Sequence, residues 1–132
     1  MTTKHLADHP VHLGRAGRAV AQPLMTSDPA WFAAYGARHG DDGVDGRLVT
    51  EYLFTQNWPM WERHPLGDEI VYCISGQARL RQRRDDGSEV EIFLSGGQYA
   101  INPANVWHTA DIAGEARLLF ITAGTGTEHE PR

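Results

Sequence analysis

Trp61-Glu62-Arg63-His64-Pro65-Leu66-Gly67-Asp68-Glu69, closed by Gly76, is the stretch on which the reading of this chain turns. Glu62 and His64 stand two apart, so on an extended strand both side chains leave by the same face. Pro65 to Gly67 supply a turn, and Glu69 opens the next strand beside them. A second patch, from Gly97 through Pro103 to His108, places another imidazole at a strand start. If the two hairpins face one another inside a barrel, Glu62, His64, Glu69 and His108 converge on one point. Two imidazoles and two carboxylates make a first set of ligands for divalent Mn, Fe, Co, Ni or Zn. The alternative is a buried polar cluster satisfied by its own hydrogen bonds. The paired glutamates would offset the charge of an ion and so lower the cost of burying it.

Outward from this stretch the period of the sequence is two. Arg47–Gln56 alternates Leu48, Thr50, Tyr52 and Phe54 against Val49, Glu51, Leu53 and Thr55, and is rich in β-branched and aromatic residues. Glu69–Ile74, Gln77–Arg84, Glu89–Leu94, Gln98–Ile101, Val106–Ala110 and Ala116–Thr122 read as further short strands. Turn-formers separate them, among them Ser75-Gly76, Asp85-Asp86-Gly87, Ser95-Gly96-Gly97 and Ala113-Gly114. Strands at this spacing predict an all-β sandwich or barrel. Residues 1–46 read as an arm, with Val11-His12-Leu13 as a short strand and one short helix over Ala30–Arg38. Ser27 or Asp28 caps that helix, and Pro29 suits its first turn. Trp31, Ala34 and Tyr35 form its apolar face. The barrel is expected over 47–124, with 125–132 as a polar tail.

Both faces of Glu69–Ile74 are largely apolar, which predicts that its outer face is covered by the arm and helix or by a second subunit. Trp61 and Trp107 each stand one residue from a candidate ligand, so alternation sends them to the opposite face. Trp58 has no such argument, because Pro59 breaks the strand. Cys73 shares the parity of Glu69 and reads as a small apolar filler. His129 reads as part of a solvated tail, and His5, His9, His12 and His39 read as surface residues without partners at ligand spacing.

In 132 residues there is room for one domain with a real core. Twelve Lys and Arg against seventeen Asp and Glu give a net charge of −5, which argues against a phosphate-backbone partner and so against nucleic acid. No apolar stretch approaches the length of a membrane span, and Met1–Pro10 has no apolar signal core. The single cysteine excludes an internal disulfide and any multi-cysteine metal site. A cytoplasmic protein is expected. Phosphate-binding loops, nucleophile elbows and Ser-His-Asp order are not visible.

The two patches resemble the paired motifs of the cupin superfamily, small jelly-roll β-barrels. The first family motif runs His-x-His, three or four residues, Glu, six residues, Gly. Here it reads Glu62-Arg63-His64, four residues, Glu69, six residues, Gly76. The second runs Gly, five residues, Pro-x-Gly, two residues, His, three residues, Asn. Here it reads Gly97, five residues, Pro103-Ala104-Asn105, two residues, His108, three residues, Ile112. Four positions depart from the pattern. Glu62 stands for the first histidine, Gln56 for the glycine before it, Asn105 for the second-motif glycine and Ile112 for the final asparagine.

The resemblance implies an all-β cupin-type jelly roll with metal ligands at His64, Glu69 and His108. Glu62 either adds a fourth, harder ligand that moves the preference towards Mn or Fe, or marks a lost site and pairs with a neighbouring arginine. The resemblance also implies a small-molecule ligand in the barrel and a homodimer. Two functions follow as expectations. One is a metal-dependent enzyme of oxygenase, isomerase, decarboxylase or cyclase type using Mn, Fe, Ni or Zn. The other is a non-catalytic binding or sensing module.

Overall fold

The structure is a computed structural model that describes residues 2–132, so Met1 of the expected arm lies outside it. In chain order the strands are β1 (Val11–Leu13), β2 (Ala19–Ala21), β3 (Arg47–Phe54), β4 (Met60–Arg63), β5 (Glu69–Arg83), β6 (Glu89–Ser95), β7 (Tyr99–Asn102), β8 (Trp107–Thr122) and β9 (Glu128–Pro131). The helix α1 (Pro29–His39) lies between β2 and β3. Asp28 caps it, its carboxylate accepting from the Ala30 N–H at 2.8 Å.

All strand pairs are antiparallel, and two long strands organise them. β5 and β8 run side by side for most of their length. The first half of β5 and the second half of β8 continue into one layer, ordered β2-β1-β3-β8-β5-β7. The other halves continue into a second layer, ordered β9-β4-β8-β5-β6. This is a jelly-roll barrel, as the alternation predicts. The inward side chains of both layers form the core, with Val71, Cys73, Ala78, Leu80, Leu94, Ala100, Ala110, Ala116, Leu118 and Phe120 all buried. No helix among the described residues is long and apolar enough to cross a membrane.

Two expected turns are absent. Ser75-Gly76 and Ala113-Gly114 do not reverse the chain, and β5 and β8 pass through them as bulged, bent strands. The register shifts between Cys73 and Ser75 and again between Gly76 and Ala78. Gly76 sits at φ 78°, and a Cβ there would strike the carbonyl oxygen of Glu115. Such a bulge needs the same residue as a turn, which is why composition alone reads it as one.

The arm also differs from expectation. It adds a sheet edge, because β1 pairs with β3 and with β2, and it does not lie over the outer face of β5. Tyr72, Ile74, Tyr99 and Ile101 on that face are exposed. His12, expected on the surface, is fully buried. Its Nδ1 meets Tyr35 Oη at 2.6 Å and its Nε2 meets Asp42 Oδ2 at 2.6 Å. His39 stacks on it with ring centroids 4.0 Å apart. This cluster fastens α1 and the turn after it to β1. Asp42 is held below the usual carboxylate range by its bond to His12. Burial, helped by the nearby Asp42 charge, pushes Tyr35 up to about 12.

The His12→Phe variant keeps the volume but strands the groups that His12 bonds. It is expected to unfold with about 2 kcal/mol less free energy, measured by urea titration. A wild-type midpoint would mean that the cluster does not hold the arm.

Candidate metal centre

Each candidate ligand is delivered by a strand terminus. Glu62 lies on β4, His64 just after it, Glu69 opens β5, and His108 is the second residue of β8. Register does the rest, because Glu62 is the cross-strand partner of His108 and Glu69 that of Asn102. The two turns that carry the motifs are tied together. The Asn105 N–H donates to the His64 carbonyl at 2.9 Å, and the Ala104 N–H donates to Asp68 at 2.7 Å. Asn105 takes φ 62°, a conformation that asparagine tolerates and glycine usually supplies.

One donor atom from each of Glu62, His64, Glu69 and His108 lies within 4.8 Å of all the others. His64 Nε2 is 3.0 Å from Glu62 Oε1 and 3.0 Å from Glu69 Oε2. His108 Nε2 is 3.5 Å from Glu62 Oε1 and 3.3 Å from Glu69 Oε1. Metal–ligand bonds of about 2.1 Å separate neighbouring donors by roughly 3.0 to 3.4 Å, so this spacing fits one ion. His64, Glu69 and His108 are buried, whereas the Glu62 side chain is 25% exposed. Glu62 points inward and pairs with histidines. The arginine beside it, Arg63, pairs with Glu128 at 2.6 Å, so the arginine-paired alternative does not occur.

The hydrogen bonds behind the ligands fix their chemistry. Thr127 Oγ1 donates to the Gly124 carbonyl at 2.7 Å and can therefore only accept from His64 Nδ1, 2.8 Å away. His108 Nδ1 faces the Val106 carbonyl at 3.3 Å, which is also an acceptor. In the neutral form each imidazole would thus carry its proton on Nδ1 and turn the Nε2 lone pair to the centre. Both Nε2 atoms are buried, and the oxygens they face belong to carboxylates, which accept and do not donate. A lone pair facing two carboxylates calls for a cation, either a proton or a metal ion. Glu69 is held at both oxygens, by Asn102 Nδ2 at 3.0 Å and by Thr122 Oγ1 at 2.6 Å. Gln82 in turn donates to Asn102 at 2.9 Å.

Burial alone would lower the basicity of His64, but bonds to Glu62 and Glu69 outweigh it and lift its pKa from 6.5 to about 9. Burial alone would raise Glu62, yet its bonds to His108 and His64 hold it well below the usual carboxylate range. An aromatic wall adjoins the cluster. Trp58 meets the His108 ring edge-on at 6.2 Å and packs with Phe54 and Phe120 at 5.5 and 5.9 Å. The Trp58 Nε1–H is buried with no partner. Trp61 and Trp107 take the opposite face, as alternation predicts, where Arg83 lies over both rings. Cys73 is a buried, free thiol within the core.

The sequence reading missed the residues behind the ligands. Asn102, Thr122 and Gln82 look like ordinary strand residues. The tail is not irregular, because β9 pairs with β4 and brings His129 Nε2 to 2.9 Å from Glu62 Oε2. The available signal was the alternation Thr127-Glu128-His129-Glu130, with a period of two in a polar segment.

The raised pKa of His64 sets a pH dependence for chelator-treated protein. The protonated form is favoured more in the folded than in the unfolded chain, so its contribution is fully present below pH 6.5 and lost as pH rises through about 9. Thermal melts of chelator-treated protein at pH 6 and pH 9.5 are expected to show the lower midpoint at the higher pH. Glu69→Gln should flatten that difference.

No family model and no curated protein matches this sequence. Solved structures do. An oxalate oxidase superposes with a TM-score of 0.55 at 15% identity, covering 65% of this chain and 48% of that one. A hydroquinone 1,2-dioxygenase, in complex with Cd2+ and 4-hydroxybenzonitrile, gives 0.52 at 16% identity, with 58% and 56% covered. A cupin-2 domain protein from Shewanella frigidimarina gives 0.49 at 21%, with 65% and 71% covered. The chain thus spans about half the length of the first two. With both motifs seated on the strands described above, this chain takes the fold of the cupin superfamily.

Proposed function

We propose that this protein binds one divalent metal ion through Glu62, His64, Glu69 and His108 and acts as a metal-dependent enzyme on a small organic molecule in the barrel. The observation that carries the reading is the convergence of two buried Nε2 atoms and two carboxylates on one point, with no other donor facing them. Leaving such groups without a cation costs far more than the hydrogen bonds around them return. An ion held there would supply Lewis-acid or redox chemistry. Two oxygen donors beside two imidazoles favour Mn or Fe among the candidates, with Ni and Zn behind them. Six-coordinate Mn or Fe would keep open positions beyond four protein ligands, whereas a tetrahedral Zn would be closed. That difference separates an enzyme from a structural or sensing site.

The chain's own residues suggest how a substrate would lie. Glu62 is the ligand nearest solvent, so the open side of the cluster is its side. Trp58, Phe54 and Phe120, mutually tilted, offer an apolar aromatic wall, and the Trp58 N–H offers a donor for a carbonyl or carboxylate oxygen. The likeness to an oxidase and a dioxygenase supports oxidative chemistry within the oxygenase, isomerase, decarboxylase and cyclase types that the fold accommodates. A cytoplasmic setting agrees with the unpaired Cys73.

Elemental analysis tests the centre. Wild type is expected to hold close to one metal ion per chain, and His64→Ala and His108→Ala to hold little. Loss of metal in both variants would justify assaying oxygen consumption. Wild type that takes up no Mn, Fe, Ni or Zn would leave a binding module. For the wall, a thermal-shift screen of aromatic carboxylates and phenols should find stabilising compounds, and Trp58→Phe should abolish the shift while retaining metal.

The exposed Tyr72, Ile74, Tyr99 and Ile101 point to a homodimer. Beside that patch on the same sheet, Glu51 of β3 and Arg117 of β8 pair with each other at 2.9 Å, so neither charge stands against a second copy of the surface. Light scattering at micromolar concentration should give twice the chain mass, and Tyr72→Glu should give the monomer.

A further inference from the structure

We propose that β9 and the residue that leads into it are a working part of the metal centre, with Thr127 and His129 as positioning residues that hold His64 and Glu62 in ligating orientation. The inference rests on the metal reading above and adds residues that lie outside both motifs. Thr127 and His129 stand two apart and face the cluster, each on a different candidate ligand. The Thr127 hydroxyl proton is committed to the Gly124 carbonyl, so its oxygen accepts from His64 Nδ1 and leaves Nε2 bare. His129 Nε2 holds Glu62 Oε2 at 2.9 Å, which leaves Oε1 turned towards His64 and His108.

Glu62 is the ligand in need of such a hold. The other three are buried, whereas the Glu62 side chain is partly exposed, and His129 is the partner of its outer oxygen. The opposite face of the same segment does a different job. Glu128 pairs with Arg63 at 2.6 Å, Glu130 with Arg83 at 2.5 Å and Arg132 with Asp111 at 2.6 Å. Three ion pairs therefore pin the outer side of the strand while two hydrogen bonds act on its inner side. Register completes the placement, because His129 is the cross-strand partner of Glu62 on β4.

Cobalt(II) is the probe, because its visible absorption reports ligand geometry and its affinity can be read by chelator competition. Thr127→Val and His129→Leu, each made singly, should bind Co2+ about 10- to 100-fold more weakly than wild type, with an altered spectrum. Thr127→Ser and His129→Gln, which keep a hydroxyl and a donor, should restore both to within a few-fold. Circular dichroism of the metal-free variants reports folding separately. Glu130→Gln, which slackens β9 without touching a ligand's neighbour, should weaken binding by a smaller factor. Wild-type affinity and spectrum in both Thr127→Val and His129→Leu would overturn the role of β9 and leave the metal centre standing. Failure of the conservative pair to rescue would also overturn it. Wild type that binds no Co2+ would overturn the metal centre itself, and this inference with it.

Discussion

Three ionisable side chains, His64, Glu69 and His108, are withdrawn from water within a few ångströms of one another, and the surrounding barrel is arranged around that cost. A buried carboxylate or imidazole is tolerable when its remaining polar atoms are bonded and its charge is met. Each neighbour supplies one part of this. Asn102 and Thr122 occupy the two oxygens of Glu69, Gln82 fixes the orientation of Asn102, and the Val106 carbonyl and Thr127 take the outer nitrogens of the imidazoles. What they leave unmet is charge and coordination at the centre. The protein's own bonds thus end where an ion's would begin.

Glu62 alters that arrangement at its exposed side. In the family pattern an imidazole stands at this position, with one lone pair to give and one N–H to satisfy. A carboxylate has two oxygens, and here they are divided: Oε1 faces the histidines and Oε2 faces His129. The substitution therefore creates a demand for a donor on the outer side, and the C-terminal strand meets it. A harder, more anionic donor set follows as well. The changed ligand and the added strand are consequences of one chemical difference.

The same reasoning explains what could be read from the sequence. Period-two alternation located β3, β6 and β7 because each has one wet and one dry face. It divided β5 and β8 in two because Gly76 and Gly114 take positive φ in bulges as they would in turns. β4 was legible from Glu62 and His64, two apart, and from the alternation that puts Trp61 on the outer side, where it lies beneath Arg81 and Arg83. β9 was hidden because its residues are polar on both faces, and their partners come from β4, β5 and β8, far away in sequence. His12 failed for a like reason, since Tyr35 and Asp42 reach it across 23 and 30 residues. The convergence of Glu62, His64, Glu69 and His108 was legible because their spacing is local within each motif. The residues behind it were not, because only register brings them there.

The motif positions, kept and changed, then divide by physical role. Gly76 answers a backbone demand, because its Cβ would collide with the neighbouring strand. Asn105 answers a demand of the same kind and meets it without being glycine, since its φ of 62° is open to asparagine. Ile112 gives up a polar side chain for contact with the core, and its N–H is satisfied by Asn57 Oδ1 at 2.8 Å. None of these three positions alters the set of donor atoms that face the centre. Glu62 alone does. A turn can be built from more than one residue, and a hydrophobic contact from many, but a donor atom facing two imidazoles is specific to its chemistry. The chemical difference between this centre and the family pattern therefore reduces to one carboxylate and to the segment that bonds its outer oxygen.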